Sequence, residues 1–275
     1  MHRFLIAGCG YVGARIATHF SSKKQKVWGL IHTLNRKSEL EKLGITPLVS
    51  DLTQPKSLEQ LPAVNFVVIA VSPHERSELA YQEVYLTGVG NLLAQLKKSL
   101  SAPFVIYLSS TGVYGNQNGE WVSEETPPRP DSERTKILLE AENQVLQSGL
   151  PAAILRLGGI YGPGRNRIDA FRKGTWPRAS DADKCMNFIH VDDIVNSIPV
   201  LLHKAESGKV YLGVDDEPIK QSEFCTWLAG KLGMSYQPKI KPIAVAGKRC
   251  SNARLKSLGV QLRYPTFREG YSSFF

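Results

Sequence analysis

Phe4-Leu5-Ile6-Ala7-Gly8-Cys9-Gly10-Tyr11-Val12-Gly13 is the stretch whose reading decides the fold. Four apolar residues run directly into a G-x-G-x-x-G turn, and the turn opens a helical pattern. In that context the glycines have a mechanism. Gly8 permits a tight turn, and Gly10 lets the backbone approach a pyrophosphate with no Cβ in the way. Gly13 lets the helix pack closely on the strand. Free backbone N–H groups and the helix dipole then face the phosphates. Gly8, Gly10, Tyr11, Val12 and Gly13 are therefore candidate contacts to a dinucleotide. A glycine turn that binds nothing is the competing reading, and the flanking strand and helix disfavour it.

Working outward, short β-branched runs alternate with longer amphipathic segments. Strands are expected at Phe4–Ala7, Val27–Ile31, Thr46–Val49, Phe66–Val71, Phe104–Ser109 and Ala153–Leu157. These runs lack polar alternation, as strands buried on both faces do. Helical patterns lie between them at Val12–Ser21, Ser38–Leu43, Leu79–Lys98 and Ser132–Gln147, the last closed by Gly149. The pattern predicts an α/β fold, a Rossmann doubly wound parallel sheet with a small C-terminal substrate lobe. Residues 1–157 are the expected NAD(P)-binding core. Residues 158–275 are expected to complete it and form the lobe. There, Gly158–Arg178 reads as loop with one short helix near Ile168–Phe171, and a helix follows Asp192-Asp193. A strand is expected at Val210–Val214, and a helix at Ser222–Leu232 with Ser222 as N-cap and Gly233 past its end. From Lys241 to Phe275 the pattern weakens.

Composition narrows the function classes. Of 275 residues, 42% are hydrophobic and 21% charged, ordinary values for a globular protein. No apolar run approaches the roughly 18 residues of a membrane span. The basic, then apolar N-terminus is broken at once by glycines, so it is not read as a signal peptide, and the cytoplasm is the expected location. Cys9, Cys185, Cys225 and Cys250 are scattered without metal-ligand spacing, which predicts reduced thiols and no metal site. The net charge of +9 is spread out, with no aromatic-plus-basic module for nucleic acid. It suits a small anionic ligand instead.

The end of the second strand reports cofactor choice: acidic residues there accept from the ribose 2′-hydroxyl of NAD, basic ones accommodate the 2′-phosphate of NADP. Here it reads Ile31-His32-Thr33-Leu34-Asn35-Arg36, with no carboxylate. Thr33, Asn35 and Arg36 are candidate phosphate ligands, so NADP is expected over NAD. In the alternative, Arg36 merely begins a solvated helix. Asp51-Leu52, after the third strand, is placed either to reach the adenine edge or to cap the next turn. Ala70, in the fourth strand, is a further candidate cofactor contact.

The segment Tyr107-Leu108-Ser109-Ser110-Thr111-Gly112-Val113-Tyr114-Gly115 resembles the SSxxVYG motif of extended short-chain dehydrogenases/reductases, the NAD-dependent epimerase/dehydratase family. Arg156–Arg165 (RLGGIYGPGR), Asn187–Ile194 (NFIHVDDI) and Val210–Gly213 (VYLG) match further motifs in the right order. The resemblance spans nearly the whole chain. It implies that Ser110 hydrogen-bonds the reacting oxygen, that Lys136 binds the nicotinamide ribose, and that a nucleotide-sugar-type cleft lies under the C-terminal lobe. A serine satisfying the strand end and an exposed helical lysine are the alternatives for these two. Thr111, Tyr161, Arg165 and Arg167 join Ser110 as candidate substrate contacts, the arginines because their forks match phosphate or carboxylate.

Two departures matter. The glycine turn is shorter than the family's G-x-x-G-x-x-G. More seriously, Ser132 stands where the tyrosine of Y-x-x-x-K belongs, with Lys136 at the lysine position. In the family that tyrosine exchanges a proton with substrate. A phenol with pKa ~10 needs ~4 kcal/mol of help to act near neutrality. An aliphatic hydroxyl is a far weaker acid, so Ser132 is a doubtful catalytic residue and suits the N-cap of its helix. Glu133, beside it, is a conceivable base through water. Thr111 and Gly112 stand where dehydratases carry Asp-Glu, which disfavours sugar dehydration. His190 is expected to serve structure rather than catalysis.

The expectation is an atypical NAD(P)-dependent oxidoreductase or epimerase-like enzyme acting on a small anionic nucleotide-sugar or carbonyl/hydroxyl compound. Neither nucleic acid nor membrane is an expected partner, and the chain is a monomer or homodimer. The rival is a non-catalytic NADP(H)-binding sensor that lost the chemistry with the tyrosine.

Overall fold

The computed structural model describes residues 1–75, 77–99, 102–178, 180, 182–238 and 243–275. The chain divides into two units. The first comprises Met1–Ser110, Ser132–Arg156 and Ser197–Tyr211, and the second Thr111–Asp131, Leu157–Asn196 and Leu212–Phe275. The stretches 111–131 and 197–211 thus lie across a linear division at residue 157.

The first unit is built on β1 (Arg3–Ala7), α1 (Tyr11–Ser22), β2 (Lys26–Ile31), α2 (Lys37–Lys42), β3 (Thr46–Val49) and β4 (Phe66–Ile69). It continues through α3 (Glu78–Tyr81), α4 (Val89–Leu96), β5 (Phe104–Ser110), α5 (Glu133–Leu146), β7 (Ala152–Leu157) and β11 (Val210–Gly213). A two-residue strand, β6 (Trp121–Val122), lies in the second unit. The seven-stranded sheet runs β11-β7-β5-β4-β1-β2-β3. β1 pairs in parallel with both β2 and β4, and β2–β3 and β4–β5 are parallel too. This is the expected doubly wound α/β sheet. The order builds outward on one side of β1 through β3, then returns to its other side at β4. That reversal is where open α/β sheets place their ligands. Leu5, Ile6, Ala7, Val67, Val68 and Ile69 are fully buried, which explains their unbroken apolar runs.

One departure lies between β4 and β5. The pattern 79–98 predicts a single regular helix, but α3 and α4 are joined by a π-helical turn, Gln82–Gly88. A Cβ at Gly88 would sit 2.9 Å from Leu52 Cβ, so the wide turn brings its backbone close to the β3 loop.

The second unit has its own aromatic core around Phe188, Phe224, Phe267 and Tyr271. Gly158–Arg178 is not all loop: β8 (Gly159–Tyr161) pairs in parallel with β10 (Phe188–His190), and α6 spans Ile168–Arg172. β9 (Ala182–Met186) lies between β12 (Ile219–Lys220) and β13 (Ala244–Gly247), and β14 (Arg249–Cys250) pairs with β6. α7 (Val191–Lys204) begins at the acidic pair Asp192-Asp193 as expected. The Asp193 carboxylate accepts the backbone N–H groups of Arg263 (2.6 Å) and Tyr264 (3.1 Å), tying the C-terminal segment to the helix start. Helix α8 is Gln221–Lys231 with Lys220 as N-cap. Ser222 is therefore inside the helix, and its hydroxyl donates to Asp183 instead. The short helices α9 (Ala253–Ser257) and α10 (Phe267–Ser272) complete the chain. Thr266 and Glu269 close a capping box on α10. Lys241, first residue of the loosely patterned tail, lies outside the described residues. No helix among them is long and apolar enough to cross a membrane.

Candidate functional site

The glycine turn separates three physical demands. Gly8 has φ +93°, and a Cβ there would lie 2.8 Å from the Ala70 and Val71 backbone, so both conformation and the neighbouring strand require glycine. A Cβ at Gly13 would sit 2.0 Å from the Gly8 carbonyl oxygen, so α1 can pack on the turn only without one. Gly10 is different. Its φ of −78° suits any residue, and a Cβ there would meet nothing within 4 Å. No neighbouring atom requires glycine at that position; open space lies over it. No side chain caps α1, whose first turn carries no acidic residue. The positive dipole end of that helix suits an anion.

A groove of about 620 Å³ runs along the C-terminal ends of β1, β2, β3 and β4. That lies in the usual range for cofactor sites, about 300–1,000 Å³. Of the candidate cofactor residues, Gly8, Gly10, Thr33, Arg36, Asp51, Leu52 and Ala70 line it together. Val12 and Gly13 are buried under the turn, and Tyr11 carries the Arg15 guanidinium over its ring at 4.0 Å. Asn35 is exposed in the 3₁₀ turn Leu34–Arg36. Asp51 Oδ1 accepts from the Thr53 N–H (2.9 Å) and hydroxyl (2.8 Å), so the carboxylate caps its own turn while lining the groove. Burial pushes the Cys9 thiol up to about 12, leaving it an inert packing group under the turn.

The facing wall went unread in the sequence. It consists of Ser72, Pro73, His74 and Glu75 after β4, with Ala80, Glu83 and Val84 from α3 and the π-helical turn. The loop after β4 was findable, because it follows the strand at the topological reversal. The π-helical residues carried no such signal.

Arg36 is already engaged. Its Nε and Nη2 donate to the two Glu39 carboxylate oxygens at 2.9 and 2.7 Å, and its Nη1 donates to the Cys9 carbonyl. The hydrogen bonds donated to Glu39 raise the guanidinium pKa further and lower that of the carboxyl, so both ends favour their charged forms.

Among the candidate catalytic residues of the first unit, Ser110 ends β5. Ser132 is the N-cap of α5, in a capping box with Thr135. Lys136 is 60% exposed and pairs with Glu133 Oε2 at 3.1 Å, which also occupies the carboxylate considered as a base. In the second unit, Thr111 is buried and hydrogen-bonded with the Cys250 thiol. Tyr161 is a core residue: its ring stacks on Tyr271 at 4.8 Å, and its hydroxyl packs against Gly270. That position removes it from the candidate substrate contacts. Arg165 lies in an exposed tight loop, where its backbone exchanges hydrogen bonds with Gly162. Arg167 holds its guanidinium 5.2 Å over the Trp176 ring. His190 is buried, lies tilted against the Tyr264 ring at 4.1 Å, and accepts the Asp192 N–H on Nδ1 at 3.1 Å, a structural placement.

The family model for the NAD dependent epimerase/dehydratase family matches residues 4–212. Protein YeeZ of Escherichia coli K12 is 28% identical over 96% of this chain and 97% of its own length. A solved protein of Methylobacillus flagellatus, named as a candidate NAD-dependent epimerase/dehydratase, is 31% identical, with a TM-score of 0.81 over 99% of this chain and 97% of that one. The fold is also that of Thermus thermophilus UDP-glucose 4-epimerase in complex with NAD (TM-score 0.78, 20% identity, 98% and 96% covered). Four further structures of the same fold were likewise solved with NAD. These complexes overturn the expectation of NADP. The guanidinium read as a 2′-phosphate ligand is paired with a carboxylate three residues on.

Proposed function

The chain belongs to the NAD dependent epimerase/dehydratase family, and on that premise we propose that the groove of the first unit holds NAD and serves an oxidoreductase or epimerase reaction. The substrate class is a small anionic carbonyl or hydroxyl compound, with a nucleotide sugar the natural choice given the relatives of this fold. The carrying observation is the open space over Gly10, at the mouth of a groove set where the sheet order reverses.

The residues present fit the dinucleotide. The turn around Gly10 and the start of α1 receive the pyrophosphate, Thr33 the adenosine ribose, and Asp51 to Thr53 with Ala70 the adenine. When bound, the nicotinamide supplies hydride acceptance and donation. Ser110 orients the reacting oxygen of the substrate by a hydrogen bond, and Lys136 leaves Glu133 to hold the nicotinamide ribose. Ser132 moves no proton; it starts the helix that carries Lys136.

A second reading has an observation of its own. Ser132 spends its hydroxyl in the capping box and Lys136 is paired with Glu133, an arrangement that suits an NAD-binding sensor without chemistry. Titration of NADH by fluorescence, followed by turnover screens on nucleotide sugars and simple carbonyls, separates the two. Turnover that is lost in Ser110→Ala and Lys136→Ala supports the enzyme. Tight binding without turnover across the screen, joined to an NAD-dependent protein interaction, supports the sensor. No binding of either dinucleotide at millimolar concentration defeats both.

A further inference from the structure

We propose that Glu39 sets the choice between the two nicotinamide dinucleotides, by occupying Arg36 and by opposing a 2′-phosphate with its own charge. The inference rests on the reading of the groove as an NAD site and assigns its specificity to a residue outside the glycine turn and outside β2.

The geometry is a side-on pair. One edge of the Arg36 guanidinium, Nε and Nη2, faces the two Glu39 oxygens, at 2.9 and 2.7 Å, and a third N–H is given to the Cys9 carbonyl inside the glycine turn. A guanidinium recognises phosphate through the same planar fork. Here three of its five N–H groups, the whole Nε–Nη2 edge among them, are spent within the chain, and Arg36 still lines the groove next to Thr33. Glu39 is delivered by α2, one turn beyond Arg36, and the helix is anchored by the fully buried Leu40. Three-residue spacing on a helical turn is what lets the two side chains meet.

Magnitudes decide what this pair can do. The Arg36 and Glu39 side chains are 37% and 53% exposed, so the ion pair by itself contributes little to stability. It would not hold Arg36 against a phosphate if the carboxylate then left the scene. The α2 backbone keeps Glu39 within one helical turn of Arg36, however, so a 2′-phosphate approaching Arg36 comes near a like charge. A neutral 2′-hydroxyl meets no such opposition. The expected discrimination is modest, about tenfold, because solvent screens both terms.

The test is a fluorescence titration of NADH and NADPH against the wild type, Glu39→Gln, Arg36→Ala and the double variant. Glu39 is exposed, and Gln preserves its shape, so folding is not at issue. The expected result is that Glu39→Gln tightens NADPH about tenfold with NADH changed by less than about twofold, the gain shrinking at high salt. Adding Arg36→Ala to Glu39→Gln should abolish the gain, because the phosphate then has no guanidinium to use. An NADPH-to-NADH ratio left unchanged by Glu39→Gln, in a protein that binds NADH, overturns the assignment to Glu39. Absence of NADH binding in the wild type overturns the site reading beneath it, and the assignment with it.

Discussion

Arg156 on β7 and Glu142 on α5 form an ion pair inside the first unit, Nη2 to Oε2 at 2.7 Å, with side chains only 5% and 1% exposed. The Arg156 Nε also reaches both oxygens, at 3.1 and 3.2 Å, and the Ser109 hydroxyl donates to Oε1 at 2.5 Å. One carboxylate thereby joins α5 to two strands, β5 and β7. Ser109 directly precedes Ser110, and α5 carries Lys136, so this cluster fixes the frame of both candidate catalytic residues. Removing one partner strands the other charge in an apolar layer. Arg156→Met should therefore cost about 3–5 kcal/mol by urea denaturation, and the double change Arg156→Met with Glu142→Leu should recover much of that loss. A single variant as stable as the wild type would contradict the account.

Gly10 and Gly13 should respond oppositely to the same added methyl. Gly13→Ala drives a Cβ onto the Gly8 carbonyl oxygen and should lower the melting temperature markedly. Gly10→Ala meets no protein atom, so its stability should stay within about 1 kcal/mol of wild type, the usual alanine gain included. Its NADH affinity should nevertheless fall by about tenfold or more, since the methyl stands where the pyrophosphate approaches. Unchanged NADH binding in Gly10→Ala would remove the groove from consideration.

Ser132 should behave as a cap and nothing more. Ser132→Ala breaks the capping box at the start of α5 and should cost about 1 kcal/mol of stability. NADH affinity should be unaffected. A loss of turnover larger than the loss of folded protein would return the hydroxyl to the chemistry.

The Asp215 carboxyl supplies a pH test. It is 1% exposed, its Oδ2 has no hydrogen-bond partner among the described residues, and burial raises its pKa well above the usual carboxylate range despite the N–H bonds from Glu217 and Phe267. The folded chain therefore keeps this proton through a pH interval in which the unfolded chain has released it. Its contribution is fully favourable below the unfolded pKa of about 3.9 and declines as pH rises toward the folded value. Asp215→Asn should be more stable than the wild type near neutral pH, by an amount that shrinks toward about pH 4. Urea midpoints measured at several pH values check the slope, and parallel profiles for the two proteins would contradict it.

The parallel core was legible because its strands are buried on both faces, and such strands announce themselves as unbroken apolar runs. The helix starts were legible where capping chemistry is local, as at Ser132 and at Asp192-Asp193. Thr266-x-x-Glu269 was equally readable as a capping box and was passed over. The same holds for Arg36 and Glu39, whose spacing is that of a helical ion pair. The strands β6, β8, β12 and β14 are two or three residues long, too short for any periodicity to show.

By itself, then, the sequence determined the strand–glycine–helix opening, the alternation that makes a doubly wound sheet, and the capping serine at position 132, because each is written in neighbouring residues. Tertiary structure alone decided which side chains share the groove, why Gly10 needs no protein reason to be glycine, and that Tyr161 belongs to a core. These depend on atoms far apart along the chain, where distance in space, set by packing and strand order, has no local signature.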